Sequence, residues 1–404
     1  MFWNGTRWVD EHAPETPAPR RRRRTRGWLA TGVMIVGIAS LVVPFAATGA
    51  ASDSANRLVA ASNGTFDTHR FHRRPTLTLA PTPVPTPIAA PTPTLAPTPA
   101  GIPVPSSIDA TGATDVSTAL NAWLAIVPDG STIVFKAGGI YRLNRALKFS
   151  SRHGLTFEGN GATLKAGGAG TTETSSLFAL WGGNTGVTIR NFSLVGNSPT
   201  PGIYQSGQEG AAGVLVDGGG TVEIANVTIS AVWGDGIKVT GGANTVWFHD
   251  SRVVSAGRNG VTIGAGTNIL IERNAFDKSG YCTFDIEPNT SDQTATNVKF
   301  LNNSAGAYGQ DFAAIEGSHT GAMIDGVTIN GNSVTAGSLL TIIDNGGTAR
   351  MRNIAVTDNR SSMAVAGSVL RFAHIDGLIV TGNVQPLTSG ALASITDCTG
   401  VTYR

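Results

Sequence analysis

Five carboxylates, Asp235, Asp285, Glu287, Asp311 and Glu316, occur with Lys238 and Arg258 in or beside short segments of alternating polarity: GIKVT from Gly236, GVTIG from Gly260, TFDIE from Thr283 and FAAIE from Phe312. A period of two sends Ile237 and Val239, Val261 and Ile263, Phe284 and Ile286 to one face of a strand and the residues between them to the other. Stacked in register, such strands put Lys238, Thr262 and Asp285 in one outward column and Thr240, Gly264, Glu287 and Glu316 in the next. Asp235, Asn259, Cys282 and Asp311 fall at the preceding corner, with Arg258 beside them.

Three chemistries suit such a strip. In glycoside hydrolysis one carboxyl protonates the leaving oxygen while a second activates water or attacks, at separations of ~5 Å for retention and ~6.5–9.5 Å for inversion. In a lyase, Asp285, Glu287 and Glu316 would hold Ca²⁺, and Lys238 or Arg258 would serve as base. In plain glycan binding, Trp233, Tyr281 and Tyr204 would supply stacking surfaces. Polar residues at these positions would equally serve as an ordinary solvated face, so a non-catalytic structural or adhesive module is the alternative. His153, His249, His319 and His374 are isolated in sequence and read as surface or corner residues.

The segments that carry these residues belong to a repeat. An apolar-x-apolar-x-x-Asn pattern ends at Asn197, Asn274, Asn303, Asn332, Asn359 and Asn383, and from Ile269 its starts are 29, 29, 27 and 24 residues apart. Two or three short strands per period, with Gly and Asn at the corners, describe a coil that stacks on the next as a β-solenoid. The terminal asparagines are expected in a left-handed backbone conformation, each laddering its amide with the next coil. Ahead of the coils, Val116, Ala119, Leu120, Trp123, Leu124 and Val127 form an apolar stripe, which predicts a helix capped by Asp115 that covers the open end of the stack.

The run from Ile108 to Leu143, with its Asp-x-x-Gly, helix, Pro128-Asp129-Gly130 and Gly139-Ile140-Tyr141, resembles the entry to the pectate-lyase-like superfamily, and the Asn/Gly coils after it resemble that superfamily's repeats. The resemblance implies an all-β, right-handed parallel β-helix over residues 108–404, acting on or binding a polysaccharide. The segment from Trp233 to Lys238 is similar to the Asp-Asp strand of polygalacturonases but has one Asp where they have two.

The first 107 residues read as a delivery device. Arg20 to Arg24 and Arg26 precede about 25 uncharged residues, 27–51, long enough to cross a bilayer core of ~30 Å. Arg clusters stay cytoplasmic, so residues 1–26 form a basic tail, 27–51 a transmembrane anchor or a signal peptide, and everything after lies outside. Residues 52–107 are a polar, then Pro/Thr-rich spacer, whose run from Pro75 to Pro105 would reach on the order of 90 Å at ~3.1 Å per residue. Residues 1–74 hold 11 basic and 5 acidic side chains, leaving 18 basic against 22 acidic in the remainder. A body of that charge has no nucleic-acid footprint.

Overall fold

A strand of three to five residues with apolar side chains at alternate positions has one face to bury, and this chain buries it by winding. The computed structural model describes residues 101–168, 175–207, 209–316, 320–344, 346–347 and 350–404, together with a short antiparallel pairing of Phe2–Trp3 with Trp8–Val9. Each coil contributes one strand to each of three parallel sheets. Sheet I has ten strands and includes Ile237–Thr240, Val261–Ile263, Phe284–Ile286 and Ala313–Ile315. Sheet II has twelve, among them Ala243–His249 and Gly266–Glu272. Sheet III has ten, including Thr228–Ser230 and Arg252–Val254. The expected anchor at 27–51 and the spacer to residue 100 lie outside the described residues; among the described residues no helix is long and apolar enough to cross a membrane.

Like side chains stack on like inside the coil. Ile237, Val261 and Phe284 are in register, as are Val239, Ile263 and Ile286, and all six are buried. Phe284 stacks on Phe300 of sheet II with 4.7 Å between ring centroids, so the core is a column of interlocked aliphatic and aromatic groups. A helix, α1 (Ser117–Leu124), buries Leu120 and Leu124 against this core. Its expected cap is displaced: the helix is entered from Val116 without a side-chain cap, and Asp115 Oδ1 instead accepts from the N–H groups of Ser117 (3.0 Å) and Asn144 (3.0 Å), tying the helix start to the next coil.

The asparagine ladder forms, with two corrections. Asn274, Asn303, Asn332 and Asn359 are buried, and from each the main-chain N–H and the side-chain amide both donate to the Oδ1 one coil on, ending at Asn383. The left-handed residue is the one before: Arg273, Asn302, Gly331, Asp358 and Gly382 take φ of 53–68°, turn the chain, and leave the following Asn pointing inward. Asn197 is not a rung. Its pattern lies on the sheet III strand Ser193–Val195, and Asn197 donates to the Gly168 carbonyl; the residue in the rung position of that coil is Phe192, which follows the left-handed Asn191.

Candidate functional site

The corner between sheets III and I carries the carboxylates, and the expected register holds there. Lys238 pairs with Thr262 and Thr262 with Asp285 across sheet I. At the corner, the Asn259 N–H donates to Asp235 Oδ1 at 3.1 Å, the Cys282 N–H to Asn259 Oδ1 at 2.9 Å, and the Cys282 thiol to Asp311 Oδ2 at 3.9 Å. Asp235 thus bonds the next coil's backbone and helps to hold the stack. Asn259 also donates to Thr262 Oγ1 (3.0 Å) and to Asp285 Oδ2 (2.9 Å), linking corner to strand.

Arg258 is the hub. Its guanidinium lies 3.4 Å from Asp235 Oδ2 and 3.7 Å from Asp285 Oδ2, and closes a short ion pair with Glu287 Oε2. Burial opposes the guanidinium's charge, but Glu287, Asp235 and Asp285 outweigh it and hold the group firmly protonated. Asp285 is pushed well above the carboxylate range, first by burial and then by the neighbouring charge of Glu287, with Arg258 offsetting part of the effect. Asp235 moves in the same direction, again by burial against the pull of Arg258 and Lys238. Two residues apart on one strand edge, Asp285 and Glu287 therefore meet different surroundings: one carboxyl buried, the other half-exposed on the guanidinium.

Lys238, Thr262 and Asp285 were expected on the surface and are 8%, 0% and 4% exposed. Beside them runs a long connection between Val195 and Val214, whose size the coil repeat does not reveal. It lies against this corner: the Gly202 N–H donates to the Ser255 carbonyl at 3.0 Å, and the Trp233 indole N–H to Asn197 Oδ1 at 3.0 Å. Tyr204 tilts onto Tyr281 at 5.1 Å, and its hydroxyl, pushed up to about 12 by burial and by its bond to Glu209, is a firm donor. Gly280 permits this approach, since a Cβ there would stand 2.7 Å from the Tyr204 nitrogen and 2.2 Å from the Gly257 carbonyl oxygen. The three aromatic residues named from the sequence thus gather at one place, with Tyr281 following Arg258 in the coil stack.

Glu316 and Asp311 extend the strip by one coil. Glu316 is exposed, and its carboxyl is raised by partial burial and by Asp311, Asp344 and Glu287. Asp311 is buried and raised chiefly by that burial. Among the described residues no group of three or more His, Cys, Asp or Glu is arranged to hold a metal ion. Of the three carboxylates named for Ca²⁺, Glu287 is paired with Arg258 and Asp285 lies 3.7 Å from the same guanidinium.

Residues 175–383 match the family described as right handed beta helix region. The chain belongs to that family. No curated protein matches the sequence. Among solved structures, the fold is similar to endo-xylogalacturonan hydrolase from Aspergillus tubingensis, at 16% identity and a TM-score of 0.50 over 74% of this chain and 100% of that one. The family 28 exopolygalacturonase of Yersinia enterocolitica matches at 12% identity and 0.43, over 72% of this chain and 76% of that one. The Streptococcus pneumoniae surface protein and adhesin PfbA matches at 12% and 0.39, over 72% and 97%. The family match and the likeness to the endo-xylogalacturonan hydrolase agree on the β-helix fold.

Proposed function

We propose that this β-helix is an exported protein that binds a polysaccharide along sheet I and hydrolyses it at the Arg258 cluster. One observation carries the reading: Asp285 and Glu287 both face Arg258, but Asp285 is buried and its carboxyl is raised by that burial, whereas Glu287 is partly exposed and paired with the guanidinium. Such a division is how two carboxyls take the acid and the base role at one pH. Asp285 gives its proton to the glycosidic oxygen as the bond to the anomeric carbon breaks, and Glu287 takes a proton from the water that adds to that carbon. Arg258 holds Glu287 in place, and the Tyr204–Tyr281 pair offers a surface for a neighbouring sugar ring. Export rests on the arginine cluster and the uncharged run at 27–51, which would leave the β-helix outside the cell on a Pro-rich spacer.

The full chain should be incubated with xylogalacturonan, polygalacturonate and neutral glucans while reducing ends and unsaturated-uronate absorbance are followed. Reducing ends without the absorbance are expected, and Asp285→Asn and Glu287→Gln should each lower their rate about a hundredfold or more. Absorbance rising with the reducing ends would replace hydrolysis by elimination. The second reading, a binding or adhesive surface module without turnover, is favoured by the 4% exposure of Asp285. Glycan binding with no cleavage by the folded chain would establish it.

A further inference from the structure

Away from the Arg258 cluster, the corner between sheets II and III carries an open hollow of about 680 Å³. One wall is the run of left-handed corner residues Asn226, Asp250, Arg273 and Asn302, with φ of 48–55°, whose side chains line the hollow. The other wall is the first column of sheet III, in which Arg252 stands between Thr228 and Ala275, and Ala275 beside Ser304. Small residues next to a long one leave the space.

The charges here are not equivalent. Arg273 is committed, donating from Nε and Nη2 to the two oxygens of Asp250 at 2.9 Å each and contacting Glu272 through Nη1 at 2.5 Å. Arg252 is exposed and, among the described residues, makes no ion pair. Beside the internally paired Asp250 and Arg273, the hollow presents one cation that makes no ion pair among the described residues, flanked by amides and hydroxyls. Around the corner, Trp247 and His249 stack with their centroids 3.7 Å apart. The Trp247 indole N–H donates to Glu272 at 3.0 Å, and His249 hydrogen-bonds Asp250 at 2.7 Å and Glu223 at 3.2 Å. An exposed tryptophan held this way presents its ring at small entropic cost.

We propose that this hollow is a second glycan-binding site, for a sugar bearing a carboxylate: Arg252 pairs with the uronate group, Asn226 and Asn302 bond the hydroxyls, and the Trp247–His249 stack receives the next ring. Its size suits sugar rings and exceeds what a small inorganic anion would fill. It lies on different sheets from the cleavage cluster and holds whether or not that cluster turns over. The test is calorimetric titration of the full-length Asp285→Asn chain with a short oligogalacturonate, and with a neutral gluco-oligosaccharide of equal length as control. Oligogalacturonate should bind more tightly than the control, Arg252→Ala should weaken it about tenfold, and Trp247→Ala should weaken it in part; Tyr281→Ala, at the other site, should leave one binding event intact. Arg252→Ala in the otherwise unchanged chain should cleave short substrates at the normal rate, which separates this site from the catalytic one. Equal binding of the two sugars, indifference to Arg252→Ala, or loss of all binding in Tyr281→Ala would overturn the assignment.

Discussion

Asp285 makes the sharpest claim at the scale of a single residue. Its carboxyl is raised by burial, so the folded chain keeps a proton that the unfolded chain releases above about pH 4. The stability from that proton is complete below the unfolded value and is lost as pH rises through the raised folded one. Urea melts at pH 5 and pH 8 should therefore show a drop for the native sequence, and Asp285→Asn should shrink the drop and be the more stable of the two at pH 8. A pH-independent difference would mean that burial does not hold the proton. Cleavage should fail along the same upward limb, because the ionised Asp285 has nothing to donate. The positions of these residues were legible in the alternation of GIKVT, GVTIG and TFDIE, since register follows from the apolar columns. Their burial was not, because alternation separates an inward from an outward face and does not show what lies over the outward one. The sequence does not single out Trp247, and it reads His249 as an isolated surface or corner residue, whereas the strand buries His249 and stacks it on Trp247.

Among the elements, the corners govern. The sequence points to asparagine at each turn, yet the left-handed residue is the neighbour, and that position accepts Arg273 and Asp358 as readily as Gly331. The asparagine is conserved in spacing along the chain for another reason, the buried acceptor it gives to two donors of the preceding coil. Asn332→Ala should strand those donors together with the Phe300 carbonyl and cost about 2–4 kcal/mol by urea denaturation. Changing half-exposed Asn330 to Ala should cost well under half of that. Comparable losses at both positions would show that the ladder adds nothing beyond local turn formation. Asn197 shows the limit of pattern reading, because a six-residue motif does not say which of three sheets it sits on.

For the whole β-helix, nearly every contact runs between adjacent coils, so stability accumulates along one dimension. Interior strands such as Phe284–Ile286 are paired on both sides, whereas Ala393–Thr396 and Thr402–Tyr403 end their sheets. Hydrogen exchange followed by mass spectrometry should find the slowest amides in coils 237–330 and the fastest at 393–403, in a graded profile. A single uniform protection level would instead indicate that the stack opens only as one unit.

Asn274, Asn303 and Asn332 are each 29 residues apart, and each rung makes the same bonds to the next. Length is therefore an adjustable quantity in this protein. Excising 303–331 would join Asn302 to Asn332, leave Asn274 facing an identical acceptor, and shorten the rod by one turn without creating a new kind of junction. The Arg258 cluster draws on residues 235–287 and lies wholly on one side of that cut, which would take with it only the Asp311 and Glu316 end of the strip.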